Sequence, residues 1–252
     1  MIEMGVLFIG GGRITGTILK ELETSIEIAY IYDKMNVNHL KDRYHFVKIL
    51  RDFNVPNDVE CVVEAASIEA VKEYSEEVLK SGKDYVILSS GAFADIDFLT
   101  AFMKLLETSK GRVFIPSGAI GGLDVVVALS KWIESIDLIT RKNPESLGCS
   151  VEKETEIFSG SVLEAIERFP KNINVAVTLA LAAKSFEKVR VKIMASPGLK
   201  FNEHNVRILS RMGEYEFILR NKPLENQRTS LLAALSTVTT LRRLKEKFVV
   251  GV

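Results

Sequence analysis

The stretch "VLFIGGGRITGTILKEL", residues 6–22, places three consecutive glycines between a short apolar segment and a helix-like pattern. The fingerprint of dinucleotide-binding loops is Gly-x-Gly-x-x-Gly at the turn from a strand into a helix. Gly10 and Gly12 match this fingerprint, whereas Thr15 stands in the third glycine position and Gly16 follows it. The motif alone leaves two interpretations, a phosphate cradle or a tight turn, and its context must decide between them.

Apolar, strand-like segments alternate with amphipathic, helix-like segments from residue 4 to residue 116. Ser67 is suited to the N-cap of one such helix, and Gly82 to its C-terminal end. The pattern predicts strands over 4–9, 26–33, 45–50, 60–66, 84–90 and 112–116, and helices within 13–24, 67–82 and 95–111. This order is typical of an α/β domain with a Rossmann-type, doubly wound parallel sheet.

Asp33 ends the second predicted strand, 23 residues after Gly10. A carboxylate at this place accepts hydrogen bonds from ribose hydroxyls and repels a 2′-phosphate. The sequence therefore favours NAD as the cofactor, although the neighbouring Lys34 weakens this preference and leaves NADP as an alternative. The competing interpretation is a plain turn at the glycines, with Asp33 acting as a helix or turn cap.

In doubly wound folds the ligand lies along the carboxyl ends of the parallel strands, where small residues recur in this chain. The predicted cofactor-binding residues of the first domain are Gly10, Gly11, Gly12, Arg13, Ile14, Asp33, Ala65, Ala66, Ser89 and Ser90. The last four leave room for the nicotinamide half of a dinucleotide. For any single one of these positions, the alternative is a small residue that merely ends a strand.

The pattern changes after residue 116. Val189, Val191 and Ile193 alternate with charged residues, as in a sheet with one apolar face. We predict a smaller α/β domain with a mixed or antiparallel sheet, covered by helices over 161–169 and 173–186. The domains are expected at 1–115 for dinucleotide binding and at 116–227 for substrate binding, catalysis and dimerisation. The final helix, 228–248, is expected to pack back on the first domain.

Three segments of the second domain are candidates for a site: "PSGAIGGLD" (116–124), "FPKNINVA" (169–176) and "FNEHNVRI" (201–208). Asn172 or Asn174 is placed either to cap a helix or to hydrogen-bond a carboxamide. His204 lies at the start of a predicted strand and is the only histidine of the second domain. A lone histidine is more often structural than catalytic, so its role depends on its neighbours.

Composition excludes several other classes of function. Lysine plus arginine equals aspartate plus glutamate at 33 each, so no charge excess points to nucleic acid or to a membrane surface. No apolar run is long enough for a spanning helix, and the N-terminal residues resemble neither a signal nor a transit peptide. Two cysteines without metal-like spacing indicate a reduced, cytoplasmic setting. With only three histidines, a His/Cys metal site is not expected.

The order of the glycine loop, "VVEAAS", "PSGAIGGLD", "FPKNINVA" and an Asn-x-His strand resembles the L-aspartate dehydrogenase family over essentially the whole chain. The resemblance implies oxidative deamination of L-aspartate with NAD or NADP, and a link to NAD biosynthesis through iminosuccinate. It places the family's histidine acid/base on His204 and its nicotinamide contacts on Ala119 and Asn174. This sequence departs from the family pattern at Thr15, at Lys171 and at Ser196.

The substrate that this resemblance implies carries two carboxylates, which need cations or N–H donors. The predicted substrate-binding residues are Ser117, Gly118, Lys171 and Asn172. A charged outer face of the second sheet indicates self-association, and a homodimer is expected. Two alternatives stay open: an oxidoreductase like homoserine dehydrogenase or dihydrodipicolinate reductase, and an NAD-binding regulatory protein without turnover.

Overall fold

In the computed structural model, which describes residues 4–170, 173–224 and 230–251, the chain forms two units. The first comprises Met1–Pro116 and Ala234–Val249, and the second Ser117–Ala233 and Val250–Val252. The first unit contains β1 (Gly5–Ile9), α1 (Arg13–Glu21), β2 (Ile28–Tyr32), α2 (Asn38–Arg43), β3 (Val47–Ile49), β4 (Cys61–Glu64), α3 (Ile68–Ser81), β5 (Asp84–Ile87), a 3-10 helix (Ser90–Ala94), α4 (Ile96–Leu106) and β6 (Val113–Phe114).

The six strands of the first unit form one sheet in the order β3-β2-β1-β4-β5-β6, and every pairing is parallel. Strands β1 and β4 are central and buried along their whole length, which explains their continuous apolar sequences. The strand order reverses between β1 and β4, so their carboxyl ends open the crevice where such sheets bind ligands. The predicted Rossmann-type sheet is therefore confirmed.

Local signals set the helix boundaries in this unit. The Ser67 side chain accepts a hydrogen bond from the N–H of Ala70, and Gly82 ends α3 with a φ of 70°. The strand predicted over 84–90 is longer than the observed β5, which ends at Ile87. Ser90 already belongs to the 3-10 helix that follows. Helix α2 was not predicted, since its six residues show too little periodicity.

The second unit is built on a five-stranded mixed sheet. Its elements are α5 (Leu123–Leu129), β7 (Ile133–Lys142), α6 (Pro144–Leu147), β8 (Thr155–Ser161), α7 (Val162–Arg168), α8 (Asn174–Ala182), β9 (Val189–Ala195), β10 (Asn202–Ser210) and β11 (Gly213–Asn221). The strand order is β11-β10-β7-β9-β8, with β7 and β9 parallel and the other pairs antiparallel. The predicted mixed sheet is confirmed, but its central strand β7 was missed.

The last helix, α9 (Leu231–Arg243), contributes to the core of the first unit from Ala234 onwards. Ala234, Val238 and Leu241 are buried in the same apolar cluster as Leu19 of α1. Among the described residues, no helix is both long and apolar enough to cross a membrane.

Candidate active site

The glycine loop joins β1 to α1, and two of its glycines are required by close packing. Gly10 has a φ of 99°, and a Cβ there would lie 2.8 Å from the Cβ of Ala66. A Cβ at Gly11 would lie 2.5 Å from Cγ1 of Val37. At these two positions the loop backbone packs closely against Ala66, which follows β4, and Val37, which precedes α2. A phosphate-binding turn requires such close packing.

Gly12 differs from its two neighbours, because a Cβ there would meet no atom within 4 Å. It is the N-cap residue of α1 and makes no side-chain cap hydrogen bond, and no acidic residue lies in the first helical turn. Arg13, which is exposed, and Ile14, which is half-buried, follow as the first helical residues. An open helix N-terminus beside empty space fits the pyrophosphate of a dinucleotide.

Thr15 occupies the position of the third glycine and is accommodated by burial and a hydrogen bond. Its side chain is fully buried, and its hydroxyl donates a 2.6 Å hydrogen bond to the carbonyl oxygen of Gly10. The hydroxyl thereby closes the turn from inside. The adjacent Gly16 has no such role, since a Cβ there would approach only Leu40, at 3.9 Å.

Asp33 follows β2 and is bound to the glycine loop. Its Oδ2 accepts a 2.7 Å hydrogen bond from the N–H of Gly11, and its Oδ1 accepts one of 2.7 Å from the N–H of Met35. Each oxygen keeps a further lone pair for a hydroxyl donor. The half-buried carboxylate is therefore fixed in orientation and suited to a ribose.

A cleft of about 140 Å³ begins at Asp33. Its lining residues are Ile9, Gly10, Tyr32, Asp33, Lys34, Ala66, Ser67, Glu69, Ala70, Glu73 and Tyr74. Glu73 accepts hydrogen bonds from Lys34 at 2.7 Å and from the Tyr74 hydroxyl at 2.8 Å. These bonds, that from Lys34 first, lower the pKa of Glu73 below its ordinary value.

Glu64, which sequence reasoning missed, organises the ends of β4 and β5. It is fully buried, and its Oε1 accepts hydrogen bonds from the N–H groups of Ala66 and Ser67, at 2.8 and 2.9 Å. The N–H of Ser89 donates to Oε2 and the Ser89 hydroxyl to Oε1, both at 2.9 Å. Burial raises the pKa of Glu64, and the hydrogen bonds oppose that shift.

Glu64 therefore hydrogen-bonds to Ala66 and Ser89, two of the four small residues predicted for the nicotinamide half, and the other two are their neighbours in the chain. Ala65 is half-buried and Ala66 is exposed at the end of β4, whereas Ser89 and Ser90 are buried. The exposed Ala66 also lines the cleft that contains Asp33. In this unit the predicted glycine, aspartate and alanine residues thus lie together at the carboxyl ends of the strands β1, β2 and β4.

His204 lies on the buried face of the second sheet and is 3% exposed. It pairs with Thr140 across the β7–β10 ladder, and its Nδ1 lies 3.0 Å from the Thr140 hydroxyl. Burial, and then the positive charge of Lys142, lower the pKa of His204 to about 3. The ring is therefore uncharged at neutral pH, with one nitrogen positioned by Thr140.

Further buried polar side chains share this end of the sheet with His204. We call this set the His204 cluster; it consists of Thr140, Lys142, Asn202, His204 and Asn221. Lys142, which is 6% exposed, was not predicted as a site residue. The signal for it was present, because the apolar alternation of Ile136 and Leu138 continues through Thr140 to Lys142.

The turn with the predicted residues Ser117, Gly118 and Ala119 is bonded to this cluster. Gly118 has a φ of 63°, and the N–H of Ile120 donates to the Ser117 carbonyl at 3.2 Å. The Asn221 side chain donates a 2.7 Å hydrogen bond to the Ala119 carbonyl oxygen. Thus the turn and the His204 cluster, far apart in sequence, form one local arrangement within the second unit.

The asparagine segment is described only in part. Asn174 is the first residue of α8 and is half-buried, while Ile173 occupies the N-cap position without a side-chain cap. The alternative of Asn174 as the helix cap is therefore wrong. The predicted residues Lys171 and Asn172 lie outside the described residues.

The strand order of the first unit, its glycine loop and the bound carboxylate of Asp33 define a dinucleotide-binding domain. Together with a mixed-sheet unit that contains a buried, uncharged histidine, they define the class of two-unit nicotinamide-dependent oxidoreductases. Comparisons with known proteins specify the family. The family described as "Homoserine dehydrogenase, NAD binding domain" matches residues 9–116, and "Aspartate dehydrogenase, C-terminal" matches residues 124–244.

The chain belongs to the L-aspartate dehydrogenase family. The L-aspartate dehydrogenase of Thermotoga sp. (strain RQ2) is 47% identical over 249 residues, 98% of this chain and 100% of that protein. The one from Archaeoglobus fulgidus is 43% identical over the same shares of both chains. The crystal structure of aspartate dehydrogenase from Thermotoga maritima has a TM-score of 0.88 and 42% identity, covering 99% of this chain and 100% of that chain.

The resemblance inferred from the sequence motifs is thereby confirmed, and the chain is a nicotinamide-dependent amino-acid dehydrogenase. The homoserine dehydrogenase-like alternative is supported only by the nucleotide-binding half, which related oxidoreductases share. A regulatory protein without turnover is not favoured, because the match extends through the second unit.

Proposed function

We propose that this protein oxidises L-aspartate with NAD, releasing iminosuccinate, which hydrolysis converts to oxaloacetate and ammonia. The proposal depends on the position of His204. In this member of the L-aspartate dehydrogenase family, His204 is a buried, uncharged base hydrogen-bonded to Thr140. One C–H bond of the substrate is broken as a hydride, and one N–H proton is removed by a base. The nucleotide-binding residues would hold the cofactor that accepts the hydride, and His204 would accept the proton.

The residues of the first unit fit a dinucleotide. The N-terminus of α1, which Gly12 leaves open, would hold the pyrophosphate, and Asp33 would accept hydrogen bonds from the adenosine ribose. When bound, the nicotinamide supplies the hydride acceptor. Ala119 and Asn174 remain the proposed contacts of the second unit with the nicotinamide half, as the family resemblance implies.

His204 handles the proton. The substrate amine must be uncharged before hydride leaves its carbon, and a neutral imidazole can take the ammonium proton. This role requires the tautomer in which Nδ1–H donates to the Thr140 hydroxyl, so that the other ring nitrogen accepts. The two carboxylates of the substrate, if bound beside the ring, would raise the pKa of His204 and favour proton uptake.

We infer a preference for NAD over NADP from the charges of the cleft. Asp33 and Glu73 would both repel a 2′-phosphate, and Lys34 is paired with Glu73 at 2.7 Å. The lysine that weakened this preference in the sequence is thus held by a carboxylate. Exposure of the pair, at 65% and 46%, keeps its own energy small.

The remaining proposals concern cellular context. Iminosuccinate released intact would serve as a precursor in NAD biosynthesis. Two unpaired cysteines, Cys61 and Cys149, support a reduced, cytoplasmic setting. A homodimer is supported by the ion-paired outer face of the second sheet, where Glu203 pairs with Arg141 and Arg220. Size-exclusion chromatography with light scattering would measure the molar mass in solution and so test the homodimer.

The test is a turnover assay. Purified protein is mixed with L-aspartate and NAD, and absorbance of the reduced nicotinamide is followed, with L-glutamate, L-homoserine and D-aspartate in parallel. We expect turnover with L-aspartate and little with the other three. Turnover with L-homoserine instead would replace the proposed substrate, and NADH binding without any turnover would favour a regulatory role.

A further inference from the structure

The turn over residues 117–122 follows one side of β11, whose buried or half-buried residues alternate with exposed ones. A Cβ at Gly122 would lie 2.7 Å from Cζ of the Phe217 ring, and a Cβ at Gly121 would lie 3.4 Å from Cδ2 of Leu219. A larger residue at Gly122 would therefore push the turn away from the strand. The backbone of the turn thus packs directly on two successive side chains from the same side of β11.

The next residue on this side of β11 contacts the turn through a hydrogen bond. Asn221 is 8% exposed, and its side-chain amide donates a 2.7 Å hydrogen bond to the carbonyl oxygen of Ala119. A second bond, from the N–H of Ile120 to the Ser117 carbonyl, closes the turn itself. Because a carbonyl oxygen has two lone pairs, that of Ala119 can accept one further donor while Asn221 fixes its orientation.

Strand β11 also connects the turn to His204. In the ladder with β10, Leu219 pairs with His204. Directly paired residues of an antiparallel ladder have Cα atoms about 4.5–5.5 Å apart. The side chain that packs on Gly121 is thus the immediate cross-strand neighbour of the histidine. A shift of the turn away from β11 would therefore change the distance between the Ala119 carbonyl and the His204 ring.

We propose that Asn221 is a positioning residue: it orients the Ala119 carbonyl oxygen to accept a hydrogen bond from the nicotinamide carboxamide, and so aligns the cofactor relative to His204. The inference rests on the proposed function, in which Ala119 contacts the nicotinamide half and His204 takes the substrate proton. The neutral amide of Asn221 uses one lone pair of the carbonyl and adds no charge beside it. Such alignment matters for the rate, because small displacements of reacting groups are costly.

The test compares NAD with its acetylpyridine analogue, in which an acetyl group replaces the carboxamide and removes its N–H donors. Asn221→Ala deletes the amide, and Asn221→Asp keeps its size but, when ionised, cannot donate to the Ala119 carbonyl. We expect kcat/KM for NAD to fall about tenfold or more in both variants, since one hydrogen bond contributes about this factor. For the analogue it should change by less than about twofold, because the analogue has no amide donor for this carbonyl.

Binding measurements make the same comparison without turnover. In isothermal titration calorimetry, the Kd for NADH should rise about three- to tenfold in both variants, whereas the Kd for the reduced acetylpyridine analogue should stay the same. Asn205→Ala is the matched control. The Asn205 side chain, on β10, donates a 2.9 Å hydrogen bond to Glu216 on the other side of the sheet. We expect this variant to change neither quantity.

Two results would overturn the inference. Equal losses for NAD and for the acetylpyridine analogue would mean that Asn221 only stabilises the fold. Unchanged kcat/KM for NAD and unchanged Kd for NADH in both variants would mean that Asn221 does not position the cofactor. Wild-type protein that binds NADH but does not oxidise L-aspartate would contradict the proposed function separately, and the comparison of Kd values would still decide the role of Asn221.

Discussion

The nucleotide cleft of the first unit and the His204 cluster of the second are built by different means. In the cleft, backbone amides fix the carboxylate of Asp33, which accepts hydrogen bonds from Gly11 and Met35. In the His204 cluster, side chains from alternate positions of β7 and β10 meet on a buried face. The first construction depends on main-chain geometry and the second on side-chain chemistry, so mutations should separate binding from turnover.

Removing His204 should have the largest effect. His204→Ala is expected to lower kcat about 1000-fold, because general base catalysis typically contributes this much, while NADH affinity stays unchanged. Stopped-flow turnover and NADH fluorescence titration would measure the two quantities. His45→Ala is the control, since His45 is exposed in the first unit. Equal losses of turnover and NADH affinity would contradict the separation of roles.

Gly12→Ala should show the opposite behaviour. The added methyl group enters space that is open in the protein, and the φ of −75° suits any residue, so the melting temperature should not change. The Kd for NADH should nevertheless rise about 10- to 100-fold, because the phosphate loses hydrogen bonds.

Gly16→Ala is the matched control for Gly12→Ala. Its Cβ approaches only Leu40, and alanine in a helix stabilises by up to about 1 kcal/mol relative to glycine. We expect unchanged NADH affinity and a slightly higher melting temperature. Unchanged affinity in Gly12→Ala as well would mean that the phosphate does not lie at this loop.

Much of the first region was predictable because its signals are local. Three glycines between an apolar strand and a helix, followed by Asp33, are read directly from one βαβ unit. Glu64 was missed, although a carboxylate inside the apolar run "ECVVEAA" was its signal. Its role depends on Ser89, which is 25 residues away, follows β5 and donates to the Glu64 side chain.

The His204 cluster was harder to predict, because its members come from strands that are distant in sequence. His204 was noticed as the only histidine of its domain, but Thr140 lies 64 residues away. Strand β7 was missed because charged residues of its open face interrupt the apolar pattern. Lys142 pairs with Ala195 of β9, and no local segment specifies this register.

Glu64→Gln should test whether main-chain binding supports the cleft. The amide would place an N–H₂ group against donors from Ala66, Ser67 or Ser89, leaving at least one buried donor unpaired. We expect a loss of about 1–3 kcal/mol in unfolding free energy, measured by urea titration, and a weaker Kd for NADH. Glu76→Gln, on the exposed face of α3, should change neither.

The His204 cluster also predicts a pH dependence of stability. The pKa of His204 is lowered to about 3 from an ordinary 6.5, so the unfolded chain binds more protons between these values. Its contribution is fully favourable above pH 6.5 and is lost as the pH falls toward 3, at up to about 1.4 kcal/mol per pH unit. The free energy of unfolding, measured by urea titration at each pH from 7 to 4, should fall less steeply with decreasing pH in His204→Asn than in wild type. Parallel slopes would contradict a buried, neutral ring.

The smallest expected effects concern the choice between NAD and NADP. Asp33→Ala should reduce the ratio of kcat/KM for NAD over NADP by about tenfold, because a fixed hydrogen-bond acceptor and a repelling charge are both lost. Glu73→Gln should reduce it by a few-fold, because Lys34 loses its ionic partner. A ratio that neither substitution changes would place the ribose elsewhere.

The oxidation of L-aspartate by NAD is tested most directly by following the hydride. L-aspartate carrying deuterium on its α-carbon would be incubated with the protein and NAD, and the reduced nicotinamide analysed by mass spectrometry. Direct transfer from the α-carbon should place one deuterium in every NADH formed, with iminosuccinate or oxaloacetate appearing in equal amount. Unlabelled NADH, or none at all, would contradict it.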